Sequence, residues 1–196
     1  MRATSNQKYE ITEISHEKYP FLHRIRALRD VSAEVRAGDL GGFVESESNL
    51  SFEPDDTAWI FDDAIACNDA YVDKGAVLRG EVVVCDNAYI SMGAVLSGHA
   101  RVEDNAYVRG AVLNASARAS GFSMILNDKD TMGVPILSGH CAVYGKVSGD
   151  VRLTGSALVI SGEEIRNDTL DTLVISGKNR SVIRDSSRDE LAPQQP

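Results

Sequence analysis

The chain has 196 residues and carries 29 Asp and Glu against 20 Lys and Arg, a net charge of −9. That length suits one domain with room for a small accessory piece, and so acidic a balance argues against direct binding to nucleic acid or to a membrane surface. With 43% hydrophobic and 25% charged residues and no uninterrupted apolar run beyond four residues, the composition is that of a globular chain and leaves nothing to span a membrane.

The N-terminus lacks the apolar core of a secretory signal, and three cysteines fit a reducing compartment better than a disulfide framework, so a cytoplasmic location is expected. Within residues 1–50, "KYEITEI" (8–14), "HRIRALRDV" (23–31) and "EVRAGDLGGFVESE" (34–47) predict short strands with a Gly-Asp-Leu-Gly-Gly turn between them. Arg24, Arg26, Arg29 and Arg36 cluster here and read as a solvated strand face.

From residue 51 a period of six takes over. Small or apolar residues recur at Ala58, Ala64, Ala70, Ala76, Val82, Ala88, Ala94, Ala100, Ala106 and Val112. Two places after each of the first nine comes another, from Ile60 to Val108, and the residues that follow are rich in Gly, Asp and Asn. Apolar–x–apolar makes a very short strand with two side chains facing in, and Gly, Asp and Asn accept the dihedrals of a sharp corner. Three hexads then close one triangular coil of 18 residues. A coil this thin cannot bury its own interior, so neighbours must stack as parallel strands about 4.8 Å apart. The N-terminal fifty residues become a β cap over the open end of that stack.

After Val108 the register moves back by one, giving Ala111-x-Leu113, Ala117-x-Ala119 and Ser123-x-Ile125. "LNDKDTMGVP" (126–135) reads as a loop thrown out of the coil, and apolar spacing resumes from Leu137 through Cys141, Val143, Val147, Leu153, Ala157 and Val159. Five to six coils over 51–165 are predicted. Residues 166–196 are expected to hold a strand pair in "TLVISGKNRSVIRD" and a disordered tail, "SSRDELAPQQP".

The hexads, "VDKGAV" at 72–77 above all, resemble the signature of hexapeptide-repeat proteins. The resemblance implies an all-β fold, a left-handed parallel β-helix, with trimers or other homo-oligomers common. The "RIRALRD…AGDLGGFVESESNLS" segment followed by hexads is similar to an uncharacterised bacterial and phage branch described as transferases. Hexapeptide acyltransferases use a histidine to deprotonate an amine or hydroxyl acceptor, with coenzyme A lying between subunits.

Stacking at 18 aligns columns on the outside. Tyr71, Tyr89 and Tyr107 form one, Trp59, Val77 and Val95 a second, and Ile65, Val83 and Arg101 a third. Apolar outer faces of this kind mark an interface, covered by sister subunits or by the chain's own ends. Asp63, Glu81 and His99 form a further column. There Glu81 could orient His99 as a general base. His140, just after the loop, is the second candidate base, and the count of residues sets it in a different column from His99. That separation disfavours the convergent histidines of carbonic anhydrases that share the fold. Cys67 and Cys85 lie 18 apart, within disulfide reach, and read as free thiols too few for zinc. Asn68, Asp86 and Asp104, with Asp69, Asn87 and Asn105, read as a hydrogen-bonded corner ladder, with calcium the lesser alternative; no metal is expected.

Two functions follow. One is acyl transfer from an acyl-CoA such as acetyl-CoA to a hydroxyl or amine, with His99 or His140 as base. The alternative is a non-catalytic acidic β-helix that binds a protein partner or self-assembles through its Tyr and Val faces.

Overall fold

A computed structural model describes residues 6–184; the tail reading at 186–196 lies outside the described residues. Strand follows strand around three faces, as the hexads dictate. Among the described residues the strands form sheets of nine, eight and six, and the single helical piece is a 3-10 turn at Glu47–Asn49. Trp59–Ile60 belongs to the eight-stranded face, Ile65–Ala66 to the nine-stranded and Tyr71–Val72 to the six-stranded. The next three strands repeat that order one coil up.

The interior follows from the apolar–x–apolar unit. Ile60, Leu78, Leu96, Leu113, Leu137 and Leu153 stack inside the eight-stranded face without exposure. Behind the nine-stranded face run Ala66, Val84, Val102, Ala119 and Val143, also fully buried. Small residues opposite leucines keep the prism narrow and filled. Corners are built by Asn68, Asp86 and Asp104, all at positive φ (55°, 59° and 60°), where short polar side chains are tolerated. The side chain of Asn68 accepts from the backbone N–H of Asp86 at 3.3 Å, Asp86 from that of Asp104 at 3.1 Å, and Asp104 from that of Gly121 at 2.8 Å.

The solenoid has about seven coils, more than the five to six predicted, because it extends at both ends. Strand β1 (Tyr9–Ser15) pairs antiparallel with β2 (His23–Ala27), and β2 with β3 (Leu40–Val44). Strand β3 then lies parallel to Ile65–Ala66, so it is itself the first rung of the nine-stranded face. The two glycines expected in a turn, Gly41 and Gly42, are strand residues. A Cβ on Gly42 would come within 2.4 Å of the Ala64 carbonyl, so glycine lets β3 lie flat on the first coil. At the other end Thr172–Ser176 runs parallel to Val151–Thr154 before turning back into Asn179–Ile183.

Candidate functional site

The corner preceding each strand of the nine-stranded face carries Asp63, Glu81, His99, Ser116 and His140 in succession. Backbone hydrogen bonds fix that order. Glu81 N–H donates to Gly98 at 2.8 Å, His99 to Ala115 at 2.7 Å, Ser116 to Gly139 at 2.9 Å and His140 to Gly155 at 2.7 Å. His99 and His140 therefore share one column with Ser116 between them, where a strict 18-residue count separates them. The correction has a physical origin. Arg101 pairs with Arg118, seventeen residues on, and Arg118 with Ala142, twenty-four on. The tightened corner and the extruded loop thus return His140 to the column.

Along this column His99 Nε2 stands 3.5 Å from Glu81 Oε2, with both side chains about two-thirds exposed (67% and 70%). The pair opens on a groove of about 880 Å³ between the column and the bend joining β1 to β2. Phe43, Ile65 and Val83 line its floor. Phe43 and Ile65 pack with Leu22 in a small buried cluster, against which Val83 rests.

The bend overhanging the groove is held by its own residues. His16 Nδ1 accepts the N–H groups of Lys18 and Tyr19 at 3.1 and 3.2 Å. Its ring stacks on Tyr19 (centroids 5.3 Å apart) and meets Phe43 edge-on at 4.8 Å. Arg24 ties the bend's base to the solenoid. Its guanidinium donates to the Gly41 and Asp62 carbonyls at 3.0 and 2.7 Å and to Asp63 at 2.7 Å, and lies 4.2 Å over the Phe43 ring. Arg26 and Arg36 are likewise occupied, by Glu10 and Asp30. The basic cluster is a set of clamps within the cap.

Residues lining the groove from the bend, His16 and Tyr19, carried no sequence signal, since nothing in "SHEKY" indicates that it folds over residues fifty and more positions away. Ser116 and Arg118 were visible only to a reader who already knew the register. His140 shares the column but does not line the groove.

The tyrosine column is a stack: Tyr71 and Tyr89 lie 5.9 Å apart at 21°, Tyr89 and Tyr107 5.1 Å apart at 12°. All three are half-buried. Tyr89 OH donates to the largely buried Asp73 at 2.9 Å, and burial raises its pKa. In the second outward column Val77 and Val95 are half-buried, whereas Trp59 is 1% exposed. Tyr9 of β1 covers it edge-on at 6.4 Å, so the chain's own N-terminus shields the head of that column.

Cys67 and Cys85 are free. The Cys85 thiol donates to Cys67, which holds the Cys67 pKa below its usual value and pushes that of Cys85 well up. Among the described residues no group of three or more His, Cys, Asp or Glu is placed to hold a metal, and no helix is long and apolar enough to cross a membrane.

Comparison with models of known protein families gives no match, and comparison with curated proteins gives none either. The parallel β-solenoid is compatible with the β-helix proteins that the hexads resemble.

Proposed function

We propose that this protein transfers an acyl group from an acyl-CoA, acetyl-CoA being the simplest, to a hydroxyl or amine of an acceptor held in the groove beneath the β1–β2 bend. The observation that carries the reading is the Glu81–His99 pair opening on that groove. Because Glu81 faces Nε2, the ring proton belongs there and the Nδ1 lone pair is left for the acceptor. His99 Nδ1 takes the acceptor proton as its oxygen or nitrogen attacks the thioester carbonyl. The tetrahedral centre collapses with cleavage of the C–S bond, and the sulfur leaves with the proton returned by His99. Glu81 acts as a positioning residue, holding the tautomer and stabilising the imidazolium. His99 is favoured over His140 because only His99 lines the groove.

Three free thiols support a cytoplasmic setting. Coenzyme A binding between subunits, as the resemblance implies, would require a homo-oligomer, dimer or trimer. The alternative is a non-catalytic β-helix that meets a protein partner or a second copy through Tyr71, Tyr89 and Tyr107, supported by a stacked aromatic face half open to solvent.

The test is release of free coenzyme A thiol from acetyl-CoA in the presence of hydroxyl and amine acceptors. A general base contributes about a hundredfold or more, so His99→Gln should lose turnover by at least that factor while His140→Gln retains it. Equal turnover in His99→Gln and wild type, or no thiol release with any acceptor, contradicts acyl transfer at this site.

A further inference from the structure

The groove has a cationic end that a general base does not require. Arg101 and Arg118 are direct partners on adjacent strands of the nine-stranded face, in a column whose earlier rungs carry Ile65 and Val83 and whose next carries Ala142. Like charges directly opposite on neighbouring strands repel, so this pair costs stability unless something offsets it. Glu103 does so in part. Its carboxylate, 14% exposed, ion-pairs with Arg118 and lies 3.7 Å from Arg101. One carboxylate between two guanidiniums leaves a net positive charge with both forks oriented, and each arginine side chain remains about half exposed (53% and 47%). Lys18, over the Tyr19 ring at 5.2 Å, brings a third cation to the same groove. The carboxylates at the other end are already engaged, Asp63 by Arg24 and Glu81 by His99.

We infer that Arg101 and Arg118 bind an anionic group, carboxylate or phosphate, on the acceptor; the inference rests on the acyl-transfer reading of the same groove. Guanidinium forks match both oxyanions in two-pronged fashion. Arg101 follows His99 by two residues on the same outward face, a rise of roughly 7 Å. The acceptor is then a small molecule whose hydroxyl or amine lies within a few bonds of its anion: a hydroxy acid, an amino acid or a sugar phosphate.

Isothermal titration of the full chain with inorganic phosphate and, separately, with glycolate tests this without any acyl donor, and the two probes distinguish a phosphate from a carboxylate acceptor. Saturable binding of at least one probe is expected, weakened about tenfold or more in Arg101→Gln and Arg118→Gln and largely restored in Arg118→Lys. Unchanged emission from the lone tryptophan, Trp59, certifies the fold of each variant. Absence of saturable binding for both probes, or equal affinity in the folded glutamine variants, overturns the inference. Arginine-dependent binding without any thiol release supports the anion site and overturns acyl transfer, so the two failures are separable.

Discussion

Lys8 is completely buried at the start of β1, its ammonium donating to the Ser51 carbonyl at 2.8 Å. Burial lowers its pKa from 10.5 to about 8, against the pull of nearby Asp56. An unfolded chain keeps that proton to about pH 10.5, so between pH 8 and 10 the unfolded state binds more protons than the folded one. The Lys8 contribution to stability therefore rises with pH across that window, and below it the cost of burying a charged ammonium is felt in full. Measured against Lys8→Met by chemical unfolding, the wild type should gain about 2–3 kcal/mol relative to the variant from pH 7 to pH 10. A difference that stays flat over that range shows that Lys8 titrates normally. Nothing in the sequence distinguishes Lys8 from a solvated lysine, because its burial depends on Ser51 and Asp56, more than forty residues further on.

At the scale of the strand and corner, the sequence is far more informative. Two-residue strands and their inward pairs follow from the hexads, and Asn68, Asp86 and Asp104 form the corner ladder that their spacing predicts. Asp86 serves twice there, through its left-handed backbone and through its acceptor for Asp104 N–H. Asp86→Ala forfeits both and should destabilise by roughly 2 kcal/mol, whereas Asp86→Gly keeps the backbone and should cost roughly 1 kcal/mol. Urea unfolding of the two variants checks this; equal losses would leave the dihedral no part in the corner. What the repeat hides is where it breaks. The steps of seventeen and twenty-four residues around Arg118 move His140 into line with His99, and a count based on eighteen misses that alignment. The coil count fell short for a related reason, since β3 and Thr172–Ser176 join the stack without hexad spacing.

Across the whole molecule, one end of the solenoid is closed by its own N-terminus, which covers Trp59 and continues the nine-stranded face through β1 and β2. That arrangement also makes the groove. Its overhang comes from residues 14–19 and its wall and floor from residues 43–118, two stretches brought together by the turn of β2 into β3. His99 and Glu81 could be singled out from the repeat, but the cavity they face exists only in the folded chain. The account's central claim is that this groove is where the thioester and its acceptor meet. Backbone amide chemical shifts followed during titration with acetyl-CoA test it most directly. The account expects perturbations concentrated at Ser15–Tyr19, Glu81, His99 and Ser116. Perturbations confined to the face of Tyr71, Tyr89 and Tyr107, or none at saturating acetyl-CoA, would contradict it.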